Sequence, residues 1–378
     1  MSERYDVAIV GAGIVGLAHA LAAARKGLRA IVVDRDRSAN GASIRNFGFI
    51  TVTGQPAGIV WQRARRSRDL WCELAAEANV PIVHRNECLV AHSHEALAVL
   101  EQFLTTEMGD GCELLTPDAV QERVPMARRE EVTGALWSPH DVRIEPRSAI
   151  PALGLYLENR FGVTIRRGVH ARAVNAPQLE TSGGAILAER VVVAPGPDLA
   201  TLFPEVYARH GVRLCKLHML RLAPQPGDWR LPAAMMSDFG LVRYGGFSAQ
   251  PAAPALRALL AEQYPEILAA GIHLIAVQSA DGSLVIGDSH EYSDAPDPFF
   301  SSIIENGILE LAHSVLHIPN VAVTERWIGI YPQSELCEWF VEAPDARTRV
   351  VAVTAGNGMS TAFALAEEVI AEFAGSGV

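Results

Sequence analysis

Three glycines near the N-terminus have the spacing of a dinucleotide-binding turn. Gly11, Gly13 and Gly16 form a G-x-G-x-x-G run. In such a run the first glycine permits a tight turn, the second lets the backbone approach a pyrophosphate, and the third allows a helix to pack closely on a strand. Asp34 follows at the place where a carboxylate accepts hydrogen bonds from an adenosine ribose. The pattern predicts a dinucleotide site and leaves open whether the dinucleotide is NAD or FAD.

A second glycine-rich turn, near the C-terminus, favours FAD. Residues 356–360 read Gly-Asn-Gly-Met-Ser and precede a helix-favouring segment. The backbone N–H groups of a helix start suit the electron-rich edge of a reduced flavin. The alternative is a simple helix cap made by Ser360. Because no second G-x-G-x-x-G occurs in a strand-helix-strand setting, a separate NAD(P)H domain of the usual kind is not predicted.

A lysine and a histidine alternate along the apolar segment 212–222. Lys216 and His218 share one strand face with Leu214 and Leu220. A cation and a group that titrates near neutral pH could face a flavin pocket from such a strand. The alternative is an edge that faces solvent.

The elements that must position these residues alternate between strands and helices. Residues 5–10, 16–27 and 28–34 form a β-α-β pattern within about thirty residues. A strand at 349–354 and a helix at 361–373 repeat the strand-glycine-helix signal. We therefore predict an α/β fold with a Rossmann-like FAD-binding domain built from discontinuous segments. The inserted α+β substrate domain is expected to carry a mixed or antiparallel sheet.

The remaining elements set the domain boundaries. Helices are predicted at 59–79, 95–108 and 146–160, and strands at 88–91, 163–165, 191–196, 212–222, 271–278 and 283–286. The predicted FAD-binding domain comprises residues 1–85, 145–211 and 320–378, and the predicted substrate domain comprises residues 86–144 and 212–319.

Composition excludes several classes of function. The chain has 378 residues, 49% of them hydrophobic, and a net charge of -11, which disfavours nucleic acid and anionic membranes as partners. No run approaches the roughly 18 apolar residues of a membrane span. The five scattered cysteines form no C-x-x-C, so neither a disulfide framework nor a metal site is predicted. The first strand leaves no room for a signal peptide. We expect a cytoplasmic monomer or homodimer.

Several motifs occur in an order that resembles the D-amino-acid oxidase superfamily, which includes glycine oxidase and sarcosine oxidase. They are the fingerprint at 11–16, Gly-Ala-Ser-Ile-Arg-Asn-Phe-Gly at 41–48, Val-Ala-Pro-Gly at 193–196, Gly287-Asp288, Trp-Ile-Gly-Ile-Tyr-Pro at 327–332, and the turn at 356–360. The resemblance implies an extended FAD. The residues expected to contact it are Gly11, Ala12, Gly13, Ile14, Val15, Gly16, Asp34, Arg35, Ser43, Arg45, Asn46, Phe47, Gly48, Ala171, Ala194, Gly196, Gly329, Asn357, Gly358, Met359, Ser360 and Thr361.

The chain departs from these relatives at two places. Where relatives read W-x-G-x-R-P, with an arginine for the substrate carboxylate, this chain has Tyr331. A phenol cannot form the bidentate ion pair of an arginine, so a plain α-amino acid held in the usual way is not expected. Cys337 lies several residues too late to match the cysteine that binds FAD covalently in sarcosine oxidases. We therefore predict non-covalent FAD.

The variant pattern around Tyr331 and residues 358–363 resembles a subfamily linked with bacterial phosphonate breakdown. That resemblance implies oxidation of an N-alkylated 2-aminoethylphosphonate, a small anionic amine, by hydride transfer to flavin N5 and hydrolysis of the imine. Oxygen is the expected electron acceptor, with another acceptor as the alternative. The expected substrate-binding residues are Arg45, Arg243, Tyr244, Trp327 and Tyr331, and the expected catalytic residues are Lys216, His218, Arg45, Tyr331 and His290.

Three other functions remain open from the sequence. The first is an oxidase or dehydrogenase of glycine, sarcosine or a D-amino acid. The second is an NAD(P)H-dependent flavin monooxygenase, since Gly287-Asp288 also resembles the glycine-aspartate motif of aromatic hydroxylases. The sequence that follows it, Ser289 to Pro296, departs from theirs. The third is a non-catalytic FAD-binding or redox-sensing protein.

Overall fold

The computed structural model describes residues 4–130 and 132–375. The strands are β1 Arg4–Val10, β2 Ala30–Asp34, β3 Phe49–Ile50, β4 Ile82–Ala91, β5 Glu113–Leu115, β6 Gly134–Ile144, β7 Thr164–Arg167, β8 Ala171–Asn175, β9 Gln178–Thr181, β10 Gly184–Val193, β11 Arg213–Leu222, β12 Ala234–Met236, β13 Ile275–Gln278, β14 Leu284–Gly287, β15 Glu291–Ser293, β16 Val323–Gln333, β17 Trp339–Asp345 and β18 Thr348–Val353.

The helices range from single turns to five turns. They are α1 Ile14–Arg25, α2 Ile59–Glu77, α3 His94–Leu104, α4 Pro117–Arg123, α5 Pro146–Phe161, α6 Pro204–Arg209, α7 Asp238–Leu241, α8 Gly245–Ser248, α9 Ala253–Gln263, α10 Pro265–Ala269, α11 Ser302–Val315 and α12 Gly358–Gly375. Short 3-10 turns occur at Ala42–Ile44 and Glu107–Gly109. Within the described ranges, no helix combines the length and apolar character needed to span a membrane.

The first sheet is the parallel platform of a nucleotide-binding fold. Its strand order is β17-β18-β10-β1-β2-β7, and β1 pairs in parallel with both β10 and β2. Strands β1 and β2 are almost continuously buried, as expected for parallel strands with both faces covered. The carboxyl ends of β1, β2 and β18 lie along one edge of this sheet, where such folds bind their ligands.

Helices α1 and α12 pack together on one face of this sheet. The stripe predicted on α12 is buried: Phe363, Ala366, Val369, Ile370 and Phe373 all belong to the core shared with α1 and α2. The indole of Trp71, on α2, donates a hydrogen bond to Met359 O at 2.9 Å. This packing fixes the first turn of α12 relative to the loop after β1.

The second sheet is mixed and largely antiparallel. Its order is β15-β11-β14-β13-β12-β4-β6-β3, and β16 runs antiparallel along the whole of β11. The α/β fold class predicted from the sequence is thereby confirmed. Strands β3 and β16 fall in segments assigned to the FAD-binding domain, yet they pair with β6 and β11 of the second sheet. The exact domain boundaries stay a prediction.

Candidate active site

A cavity of about 720 Å³ is lined by residues of both sheets. Its volume is in the range of cofactor and ligand pockets. One end is formed by the loops after β1 and β2, with the first turn of α12 beside them. The other end is formed by β16 and by residues that flank α7, β13 and β14.

The loop between β1 and α1 is a backbone cradle. Gly11 has φ +103°, and a Cβ there would lie 2.3 Å from Ala194 O. A Cβ on Gly16 would lie 1.8 Å from Gly11 O, so Gly16 serves close packing and does not line the cavity. Asp34 Oδ2 accepts a hydrogen bond from Ala12 N at 2.6 Å. The carboxylate thus ties the end of β2 to the glycine loop.

The segment 41–48 forms the middle of the wall. Ser43 Oγ accepts a hydrogen bond from Ile14 N at 2.9 Å, at the start of α1. The Arg45 guanidinium donates to Asn40 Oδ1 at 3.0 Å and to Ile328 O at 3.3 Å. Gly48 has φ +68°, and its missing Cβ would meet Ile144 O at 2.0 Å. Gly48 therefore shapes the segment from outside the cavity wall.

The turn before α12 faces the same cavity. Asn357, Gly358, Met359 and Ser360 line it. Ser360 does not cap α12, because the helix begins at Gly358 and the serine hydroxyl accepts a hydrogen bond from Thr51 N at 2.9 Å. The capping alternative is thus wrong. The first N–H groups of a helix have no intrahelical partner, so this end of α12 can offer donors to a ligand.

The opposite end of the cavity is lined by titratable side chains. They are Arg243, Tyr244, His273, Asp288, His290 and Tyr331. The Arg243 guanidinium contacts the Tyr292 hydroxyl at 3.4 and 3.5 Å. Among the described residues Arg243 forms no ion pair with a carboxylate, although Asp288 attracts it at longer range. A cation at a cavity wall without a paired carboxylate is suited to bind an anionic group.

The two phenols keep their protons at neutral pH. Burial, together with the neighbouring Cys215, raises the pKa of Tyr331 well above its usual value. Burial also raises the pKa of Tyr244, whose hydroxyl lies 3.3 Å from His273 Nε2. Tyr331 contacts the turn before α12, since a Cβ on Gly356 would lie 3.0 Å from its ring. Both hydroxyls can therefore donate hydrogen bonds.

Two histidines flank one buried carboxylate. His273 Nδ1 lies 3.3 Å from Asp288 Oδ1, and His290 Nε2 lies 3.8 Å from Asp288 Oδ2. Burial raises the pKa of Asp288 to about 7, and the Arg243 charge opposes that rise. Burial lowers the pKa of both histidines well below 6.5, and Arg243 lowers it further. Both rings are neutral at pH 7.

Three of the expected catalytic and substrate-binding residues, Lys216, His218 and Trp327, lie off the cavity wall. Lys216 forms ion pairs with Asp297 at 3.0 Å and Glu291 at 3.6 Å. His218 is bonded to Ser289 Oγ at 2.8 Å and accepts from Ser301 N at 3.1 Å. Both do share a strand face, but that face packs against residues 289–301, so the expectation that they face the flavin pocket is corrected.

Trp327 also acts from outside the wall. Its indole N–H donates to Arg45 O at 3.1 Å, and Arg147 stacks on its ring at 4.8 Å. Trp327 therefore holds the backbone of Arg45 in place, and it does not offer a surface to a substrate in the cavity.

The predicted cofactor residues converge on one wall. All of them line the cavity except Gly16, Gly48 and Thr361. No cysteine of the described chain lines it, and Cys337 contacts His210 and Ser334. Non-covalent FAD stays a prediction. Several polar residues that line the cavity were not predicted from the sequence: Asp36, Asn40, Thr51, Gln55, His170, Asp198, Thr201 and His273.

Comparison with known proteins assigns the family. A family model described as FAD dependent oxidoreductase matches residues 6–372. This chain belongs to that family. It is therefore an FAD-dependent oxidoreductase, and the predicted cofactor is confirmed.

The relatives of this FAD-dependent oxidoreductase are distant. It is 23% identical over 356 residues to glycine oxidase from Geobacillus kaustophilus (strain HTA426), with 89% of this chain and 83% of the relative covered. It is 24% identical over 206 residues to monomeric sarcosine oxidase from Bacillus sp. (strain B-0618), with 52% of each chain covered. The crystal structure of L-proline dehydrogenase from P. horikoshii has a TM-score of 0.79 at 16% identity and covers 99% of this chain and 95% of that one. At this identity the structural likeness shows the fold alone.

The residues of the cavity fit FAD. The loop at Gly11 is closed to any side chain and open to a pyrophosphate. Asp34 supplies an acceptor where a ribose is expected. Asn357 Oδ1 is buried and has no hydrogen-bond partner within the described residues, so this oxygen is available to an N–H group of the cofactor. Gly11, Asp34 and the first turn of α12 would hold the two ends of FAD.

Proposed function

We propose that this chain oxidises a C–N bond in a small amine that also carries an anionic group, with an N-alkylated 2-aminoethylphosphonate as substrate. The observation that carries the proposal is Arg243, a cation that lines the cavity and has no carboxylate within ion-pair distance among the described residues. When bound, FAD supplies the hydride acceptor, N5. The oxidised substrate is an imine, which hydrolyses to an aldehyde and a shorter amine.

The wall offers several donors to a tetrahedral anion. Arg243 supplies a guanidinium, and Tyr244 and Tyr331 supply hydroxyls that stay protonated. A phosphonate has three oxygens that accept hydrogen bonds and can therefore use several donors at once. A carboxylate has two, and the planar fork of a single arginine can bind both. The replacement of the expected arginine by Tyr331 thus fits an anion that is bound by several separate donors. Arg45, held by Asn40 and Ile328, is proposed to orient the substrate nearer the middle of the cavity.

Anaerobic bleaching of the FAD-loaded protein tests the substrate. The panel is glycine, sarcosine, D-alanine, 2-aminoethylphosphonate and its N-methyl derivative. We expect the N-methyl phosphonate to bleach the flavin fastest. Fastest bleaching by sarcosine or D-alanine would refute the phosphonate and favour the second candidate, an amino-acid oxidase, which the names of glycine oxidase and monomeric sarcosine oxidase support.

We also propose oxygen as the electron acceptor. Lys216 does not support this proposal, because its ammonium is bonded to Asp297 away from the cavity. The support comes from the two relatives, which are named as oxidases, although the L-proline dehydrogenase has the same fold. Stoichiometric peroxide in air would agree with the proposal, and reoxidation by a quinone or dye alone would contradict it. Oxidation of NADPH with an aromatic substrate would instead favour a monooxygenase.

A further inference from the structure

Asp288 and His290 present unshared electron pairs to each other at the cavity wall. His290 Nδ1 lies 3.0 Å from Gly271 O. A carbonyl oxygen only accepts hydrogen bonds, so in the neutral ring Nδ1 carries the proton and Nε2 is an acceptor. That Nε2 lies 3.8 Å from Asp288 Oδ2. Two buried acceptors so close together repel each other unless a proton or a cation lies between them.

His273 encloses the same carboxylate from the other side. Its Nδ1 lies 3.3 Å from Asp288 Oδ1, yet neither atom has a hydrogen-bond partner in the part of the chain that the structure describes. His273, Asp288 and His290 are 3%, 5% and 8% exposed, and all three line the cavity. His273, Asp288 and His290 therefore have too few protons for their acceptor atoms, and they face the cavity.

We propose that Asp288 and His290 bind the ammonium group of the substrate and that the Asp288 carboxylate accepts one of its protons before hydride transfer. The inference rests on the proposed amine oxidation. One ammonium N–H points to Asp288, and another points to His290 Nε2. The N–H bond breaks and leaves its electron pair on nitrogen, while the proton forms an O–H bond with the Asp288 carboxylate. The products are a neutral amine and a carboxylic acid, and nothing is oxidised or reduced in this step. His273 is a positioning residue, because its backbone N–H donates a hydrogen bond to Asp288 O at 3.1 Å.

The two charged groups of the substrate then have opposite partners on one wall. Arg243 binds the anionic group, and Asp288 and His290 bind the ammonium. The neutral amine that results has the electron pair needed to support loss of a hydride from the neighbouring carbon. A divalent metal is the other cation that two imidazoles and a carboxylate could bind, and the test below separates it from an ammonium.

The groups around Asp288 determine the pH at which it loses its proton. Arg243, after α7, stabilises the carboxylate, while burial favours the acid. The other titratable groups around Asp288 and Arg243 come from several elements: Cys215, Tyr244, His273, His290, Tyr292 and Tyr331. Burial raises the pKa of the Cys215 thiol and of the Tyr244 and Tyr331 phenols and lowers the pKa of both histidines, so these five groups are neutral at pH 7. The balance leaves the pKa of Asp288 at about 7, so the carboxylate form that accepts a proton becomes populated through neutral pH.

The wild-type holoenzyme gives the first test. Flavin reduction is followed by anaerobic stopped-flow absorbance at limiting amine between pH 5.5 and about 9.5, with whichever amine of the panel reacts fastest. The second-order rate constant obtained in this way reports the pKa of Asp288 in the substrate-free holoenzyme. We expect the rate constant to rise tenfold per pH unit below about pH 7 and to level off above it. A flat profile would overturn the inference. Because any reactive amine serves, a wrong substrate class and a wrong base give different results.

Asp288→Asn gives the second test, with Asp281→Asn as a matched control on the exposed turn between β13 and β14. Loss of the base should lower the rate constant at pH 7 by at least about 100-fold. In the variant the rate should keep rising tenfold per unit up to about pH 9.5, since only an amine that is already neutral can react. A wild-type rate for the variant at pH 7 would overturn the inference. Asp281→Asn should react like the wild type.

Two further measurements keep the inference testable if Asp288→Asn does not fold. His290→Gln should weaken binding of the amine and leave the affinity for ethylphosphonate, which has no amine, unchanged. Weakened ethylphosphonate binding in His290→Gln would overturn the assignment. Metal analysis of the purified holoenzyme should find no stoichiometric divalent metal. One tightly bound metal per chain, with reduction lost on chelation, would assign the cluster to the metal instead.

Discussion

The cavity is bounded by backbone at the end near Gly11, the dinucleotide end, and by side chains at the end near Arg243, the proposed substrate end. The first end depends on Gly11, whose missing Cβ leaves room against Ala194 O, and on N–H groups at two helix starts. The second depends on Arg243, Asp288 and two histidines that titrate or carry charge. Substitutions should therefore act sterically at one end and through charge and protons at the other.

The difference separates cofactor retention from substrate chemistry. A cofactor that must stay bound is well served by a rigid surface that no side chain can alter. A substrate that must bind, lose a proton and leave requires groups whose charge can change. Mutations at the substrate end are thus expected to leave the flavin in place, and mutations at the glycine loop are expected to remove it.

Gly11→Ala should produce the largest effect. The new Cβ would lie 2.3 Å from Ala194 O, on a residue with φ +103°, so the loop must open or distort. We expect purified protein with little or no bound flavin, measured as the ratio of absorbance at 450 and 280 nm. Gly183→Ala is the control, because its Cβ would meet Val169 at an ordinary 3.5 Å. A Gly11→Ala variant with the wild-type content of flavin would contradict the prediction that this loop binds the cofactor.

Arg243→Met should have a smaller effect, and a ligand without an amine isolates its effect on the anion. Loss of charged hydrogen bonds of about 1.5–3 kcal/mol should weaken binding of ethylphosphonate by about 10- to 100-fold. Flavin content should stay at the wild-type level. Flavin absorbance changes on titration give the Kd, and Arg243→Lys should recover part of the loss. An unchanged Kd in Arg243→Met would remove this arginine from the anion site.

At neutral pH the smallest effect is expected from His19, on α1 beneath the glycine loop. Burial lowers its pKa to about 4, while the bond from Nδ1 to Val15 O opposes the change. Its folded pKa lies below its unfolded value, so the unfolded chain binds more protons and stability falls as the pH drops below about 6.5. Between pH 7 and 4.5 the free energy of unfolding should fall by up to about 2–3 kcal/mol less in His19→Gln than in the wild type.

Urea unfolding at the two pH values measures this difference. The exposed His94→Gln is the matched control and should follow the wild type. Equal pH dependence in His19→Gln and wild type would show that this histidine does not destabilise the fold in acid. The stability of the helix beneath the glycine loop would then not depend on the protonation of His19.

The cradle could be predicted from sequence because its determinants are local. Gly11, Gly13 and Gly16 lie within one turn and its helix, and Asp34 ends the next strand. The turn at 356–360 was also predicted to face the cofactor, since glycines before an apolar helix are visible in one short segment. Both predictions need only chain geometry over a few residues.

The substrate wall could not be assembled in the same way. His273 precedes β13 and Asp288 follows β14, and only the antiparallel pairing of those strands brings them together. Lys216 and His218 show the reverse problem. Their alternation correctly placed both on one face of β11, but the period of a strand does not say which face meets the cavity. The position of residues 289–301 decided that.

The hydrogen bond from Thr51 N to Ser360 Oγ has a consequence for biosynthesis. The glycine loop at Gly11 is made before Asn357 and Ser360, because synthesis proceeds from the N-terminus. Until α12 has docked, the nascent protein has half of a flavin site and an uncovered face on the first sheet. We therefore expect tight cofactor binding to follow the docking of α12, so that this helix couples completion of the first sheet to completion of the flavin site.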